Sequence, residues 1–225
     1  MGYLVHSAVT LVPGTAGAQA PVIYVIDAPE HPFGAEAFAG ERACNVLRVP
    51  VRAWEDALTP WPAEALYRGS EPFGGQATAT LAELERAQAT LESAAGIAPC
   101  ARAVCGYSLG GLFALHAFVT SAGWAACGCL SGSLWYEGWA DWLRGAVPDL
   151  RGRYAFLSLG SKERRAARPL LKTVQERTEQ CVELLRAAGS AVEYRLVPGN
   201  HLSHVDERLA AGLAALDAAL QAQGA

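Results

Sequence analysis

The stretch that decides the fold is Ala103-Val104-Cys105-Gly106-Tyr107-Ser108-Leu109-Gly110-Gly111-Leu112-Phe113-Ala114-Leu115-His116. A short apolar run leads into Gly-x-Ser-x-Gly, and a run with helical character leaves it. At a strand-to-helix junction this spacing makes a sharp turn in which the serine takes a strained backbone conformation, and only glycines on either side leave room for it. The turn lifts the Ser108 hydroxyl above the sheet edge. It also aims the N–H of Leu109 and the positive end of the following helix at the point where an oxyanion would form. The five-residue pattern is short enough to occur by chance, and its place between a strand and a helix is what gives it weight.

Outward from that turn, short β-branched runs alternate with helical periods. Strands are expected at 5–12, 22–26, 46–49, 102–105, 126–130, 155–159 and 192–197. Leu81, Leu84 and Leu91 share a helical face, as do Leu171, Val174, Thr178, Cys181 and Leu185, and Leu209, Leu213, Leu216 and Leu220. Such alternation predicts one α/β domain over residues 1–225, with a mostly parallel sheet covered by helices on both faces. The segment from Arg52 to Gly75 breaks the alternation. It is rich in Pro, Trp and Gly, and its length without regular structure marks it as a functional loop.

Composition narrows the class. A chain of 225 residues buries about 70% of the surface it would expose unfolded, so it needs no metal or disulfide to stay folded. Its 52% hydrophobic and 18% charged content excludes disorder, and a net charge of −4 argues against nucleic acid and anionic membranes as partners. The N-terminal Met1-Gly-Tyr-Leu-Val-His6 lacks the features of a secretory signal, and no apolar run has the length of a membrane span, so a cytoplasmic location is expected. The six cysteines then read as reduced, buried thiols. Cys127-Gly-Cys129 has no nearby ligand cluster and reads as core rather than as a zinc site, so neither metal nor cofactor is expected.

A serine of ordinary acidity needs a base and an orienting acid, which in this kind of fold follow it in the order acid, then histidine. His6 and His31 precede Ser108, and His116 falls on the helix after it. His201 and His204 remain, in Gly199-Asn200-His201-Leu202-Ser203-His204 after the last strand, and His201 stands nearer the strand end. Glu163 is the first carboxylate after the strand at 155–159. Its neighbours Arg164 and Arg165 leave a surface ion pair as the alternative. Together with Lys162 and Arg168 they form a basic run that reads first as a solvated helix start and second as an anion-recognising rim. Trp135 is a candidate substrate contact, joined by Tyr107 and, in the irregular segment, by Trp61 and Phe73. Trp139 and Trp142 read as anchors of a short helix.

The run 106–115, Leu130-Ser131-Gly132-Ser133-Leu134-Trp135-Tyr136, Ser158-Leu159-Gly160-Ser161-Lys162-Glu163 and Gly199-Asn200-His201 together resemble the esterase D and enterochelin-esterase-like branch of the α/β-hydrolases. The resemblance extends from about Val22 to the C-terminus. It implies Ser108 as nucleophile, Glu163 as acid and His201 as base. A second oxyanion donor is implied just after the strand ending Tyr24-Val25-Ile26-Asp27. Pro29 has no N–H, which leaves the amide of Ala28, or that of Asp27. The implied activity is ester hydrolysis through an acyl-enzyme on a siderophore-like or other small ester. An acyltransferase using the same residues and a non-catalytic binding protein are the alternatives. A core of this size leaves no chain for a lid domain, so a shallow site walled by residues 52–75 and 131–142 is expected.

Overall fold

The structure is a computed structural model and describes residues 2–224. Among the described residues, nine strands and seven α-helices follow one another: β1 (Thr10–Val12), β2 (Val22–Asp27), β3 (Asn45–Pro50), α1 (Trp54–Ala57), β4 (Pro62–Ala63), β5 (Phe73–Gly74), α2 (Ala77–Ala94), β6 (Arg102–Tyr107), α3 (Leu109–Thr120), β7 (Ala126–Leu130), α4 (Trp139–Ala146), β8 (Tyr154–Gly160), α5 (Pro169–Lys172), α6 (Val174–Ala187), β9 (Ala191–Val197) and α7 (Val205–Gly224). Seven strands form one sheet in the order β1-β3-β2-β6-β7-β8-β9, while β4 and β5 pair separately. Only β1 runs antiparallel to its neighbour in that sheet.

The inner parallel strands β2, β3, β6, β7 and β8 are buried on both faces, which is why they read as continuous apolar runs rather than as alternation, whereas the edge strand β9 is half-buried to exposed. Val22, Tyr24 and Ile26 of β2 pack with α2 and α3 on one side, and Ile23 and Val25 pack into the cluster under α7 on the other. The leucine stripe of α7 is fully buried against that second face. From β2 the chain goes to β3 on one side, and it returns to β6 on the other. The loops leaving β2 and β6 therefore diverge, and such a reversal opens a crevice at the carboxyl ends of the strands. Ser108 follows β6 and Ala28 follows β2, so both are delivered to that crevice.

Three expectations need correction. The first strand is confined to Thr10–Val12, because the amides of Tyr3 and Leu4 donate to the Glu83 carboxylate at 2.7 and 3.2 Å and residues 6–8 form a 3-10 turn. The helical stretch beginning at Leu171 is broken at Thr173, leaving Leu171 on the short α5. Of the six cysteines, Cys100 is exposed while the other five are buried, Cys127 and Cys129 in the core as expected. No helix among the described residues is long and apolar enough to cross a membrane.

Candidate active site

Ser108 stands between β6 and α3 with φ 58° and ψ −122°, a region that a residue with a side chain enters only when its surroundings force it. Those surroundings are the flanking glycines. A Cβ on Gly106 would lie 2.3 Å from the carbonyl oxygen of Gly110, and one on Gly111 would lie 3.0 Å from the Cα of Gly132. The turn is further held by the amide of Ser108 donating to the carbonyl of Leu130 and the amide of Ser133 donating to the carbonyl of Ser108, each at 3.0 Å.

Three side chains expected to act together do meet. His201 Nε2 lies 3.0 Å from Ser108 Oγ, and His201 Nδ1 lies 2.8 Å from Glu163 Oε2. The other oxygen of Glu163 accepts from Ser131 Oγ at 2.8 Å, from the amide of Gly160 at 2.8 Å and from Arg208 Nη1 at 3.2 Å. Burial pushes this carboxyl up, but hydrogen bonding and charge from His201, with help from Gly160 and Ser131, leave it below the usual carboxylate range. An ionised Glu163 holds the Nδ1 proton, so the Nε2 lone pair faces the serine hydroxyl. That is the tautomer a general base requires. His204 lies elsewhere, paired with Glu207 at 3.0 Å on the surface.

Two clefts meet at the serine. One of about 680 Å³ is lined by Leu66, Tyr67, Ser133, Trp135, Lys162 and Arg165 beside Ser108 and His201. A second, of about 700 Å³, includes Ala28, Phe33, Trp54 and Tyr107. The irregular segment and the loop after β7 each wall the site, as the sequence suggests. Trp135 lines the first cleft. Of the basic run, Lys162 and Arg165 reach that rim, whereas Arg168 lies over the Tyr67 ring at 4.5 Å.

Leu109 is the first residue of α3, so its N–H has no intrahelical acceptor and points out of the helix end. The Ala28 amide is arranged differently from expectation. It donates to Asp27 Oδ1 at 3.0 Å; the same oxygen accepts from the Phe33 amide, and Arg48 holds Asp27 Oδ2 at 2.7 Å. The strand-ending carboxylate thus organises its own turn and occupies the amide after it. Trp61 is also misassigned by the sequence. Its ring packs against Tyr136, Trp139 and Trp142, its Nε1 donates to the carbonyl of Glu137, and it lines neither cleft at Ser108. Phe73 supports Trp135 and Tyr136 from beneath rather than facing Ser108. Tyr107 touches the second cleft, but its hydroxyl donates to the carbonyl of His201 at 2.7 Å.

Sequence reasoning missed Ser131 and Arg208. Ser131 has φ 42° and a buried hydroxyl on Glu163. Arg208 shares the buried side of α7 with Leu209 and Leu213, and a charged residue beside an apolar stripe was the available signal.

The sheet order and the strained serine define an α/β-hydrolase fold, a mostly parallel sheet with helices on both faces. Solved structures of several hydrolases share that fold. An IroE-like serine hydrolase from Shewanella oneidensis superposes with a TM-score of 0.75 at 17% identity, over 93% of this chain and 75% of that one. The siderophore hydrolase EstB from Aspergillus nidulans gives 0.67 at 17% identity, over 93% and 90%. The enterobactin and salmochelin hydrolase IroE gives 0.65 at 17% identity, over 96% and 88%. In sequence, the chain is 30% identical over 146 residues to the uncharacterized protein YbbA of Bacillus subtilis (strain 168). That match covers 60% of this chain and spans about half the length of the relative, 55%. No protein-family model matches the sequence.

Proposed function

We propose that the protein is a serine carboxylic ester hydrolase of the α/β-hydrolase fold, acting on small, siderophore-like esters. The observation that carries this reading is the chain of contacts from Glu163 through His201 to Ser108, with Nε2 at 3.0 Å from the nucleophilic oxygen. His201 takes the Ser108 proton as Oγ attacks the ester carbonyl, and a tetrahedral oxyanion forms. The Leu109 amide and the positive end of α3 stabilise that charge. One such donor is typically worth about 3–4 kcal/mol of transition-state stabilisation. His201 then gives its proton to the departing alcohol, leaving an acyl-enzyme on Ser108. The same imidazole activates a water to release the acid. Solved structures of like fold include proteins described as siderophore and enterobactin hydrolases, which supports a small ester as the substrate class.

The test is a side-by-side assay of nitrophenyl esters, thioesters and a trilactone siderophore with the wild-type protein and Ser108→Ala. Turnover by the wild type that disappears in the variant is expected. Near-wild-type turnover by Ser108→Ala would remove the assignment. Product analysis with an added alcohol tells transfer from hydrolysis.

A further inference from the structure

Arg208 lies in the first turn of α7 with 4% of its surface exposed, yet its guanidinium reaches four separate parts of the chain. Nη1 donates to Tyr107 Oη at 2.9 Å, to Ser131 Oγ at 2.8 Å and to Glu163 Oε1 at 3.2 Å. Nη2 donates to the carbonyls of Asn200 at 2.9 Å and Pro198 at 3.3 Å. Tyr107 immediately precedes Ser108, and Asn200 immediately precedes His201. A single buried cation therefore joins the segments that deliver the serine, the carboxylate and the imidazole.

We infer that Arg208 is a positioning residue of this site, which fixes Glu163 and the 198–200 turn relative to each other. The inference rests on the hydrolase reading above. Glu163 and His201 lie on different loops, and their 2.8 Å contact holds only while those loops keep their spacing. A planar guanidinium donating to both loops at once fixes that spacing in a way that an ammonium, a single point charge, cannot.

The test compares wild type with Arg208→Met and Arg208→Lys, recording kcat and KM separately for an activated aryl ester. Arg208→Met is expected to lower kcat by about 10- to 100-fold with little change in KM. Arg208→Lys is expected to recover only part of kcat, since a point charge cannot donate to both loops. Unchanged kcat in Arg208→Met would overturn the inference, as would full kcat in Arg208→Lys. If the methionine variant does not fold, Arg208→Gln serves as the neutral substitute. The downfield NMR signal of the His201 Nδ1 proton, held by Glu163, reads the same contact without turnover. Its loss in Arg208→Met, in a protein with no esterase activity, would uphold the role of Arg208 while removing the hydrolase reading.

Discussion

Substituting Glu163 by Gln keeps the volume and removes one charge, and the structure dictates how the amide must sit. Three donors converge on Oε1: the Gly160 amide, the Arg208 guanidinium and the Ser131 hydroxyl. Two of these cannot reverse their polarity, so the amide oxygen must take that place and the NH2 group must take the place of Oε2, facing His201 Nδ1. There it can only donate. Nδ1 becomes the acceptor, and the ring proton moves to Nε2, which lies 3.0 Å from Ser108 Oγ. The imidazole then presents a proton to the nucleophile where a lone pair is needed. A wrong tautomer of this kind costs about three to four orders of magnitude in kcat, or about 4–5.5 kcal/mol of barrier. Substrate binding is untouched, so KM stays within about twofold for a loss confined to the transition state. Steady-state hydrolysis of a nitrophenyl ester by Glu163→Gln, with circular dichroism to verify the fold, measures this directly. A folded variant with kcat within tenfold of wild type would refute the role of Glu163. Glu163→Ala is a harsher change, because it leaves Arg208 buried without its carboxylate, and a stability loss of about 3–5 kcal/mol is expected from denaturant titration.

The remaining predictions concern the wall and the core. Trp135→Ala should raise KM for aryl esters more than for short aliphatic ones, since the indole lines the 680 Å³ cleft beside Ser108; equal changes for both series would remove the indole from substrate recognition. His116 is buried and its Nδ1 lacks a partner, and burial pushes its pKa down to about 4. The unfolded imidazole binds a proton that the folded one refuses, so stability is lost as pH falls from the ordinary value near 6.5 toward 4. Between pH 7 and pH 5 this amounts to about 2 kcal/mol. Urea titrations at those two pH values should show that loss in wild type and a correspondingly smaller one in His116→Phe; the same loss in both would exclude His116 as its source.

The sheet was legible because its inner strands are covered on both faces, so their runs are short, apolar and bounded by turns. The serine turn was legible because its glycines answer a local steric demand, visible within six residues. His201 and Glu163 were found by chain order, since the fold brings the loops after β8 and β9 to the same sheet edge as Ser108. What escaped depends on contacts far apart in the chain. Residues 5–9 have strand composition, but Glu83 captures the amides just before them, and no local pattern announces a partner some 80 positions away. Trp61 looked like part of a binding wall because it lies in an irregular loop, yet three aromatic residues around α4 claim its ring. The Ala28 amide looked free, yet the Asp27 carboxylate, anchored by Arg48, occupies it. Arg208 was hidden by its neighbours: one arginine beside a leucine stripe reads as a helix edge until the loops it ties together are seen.

The central claim is that Ser108 is a nucleophile activated in place by His201. Intact-protein mass spectrometry after incubation with a fluorophosphonate tests this without knowledge of the natural ester. A single adduct is expected, mapped to the peptide holding Ser108 and absent from Ser108→Ala and His201→Ala. No adduct on the folded wild-type protein, or one that persists in Ser108→Ala, would contradict the account.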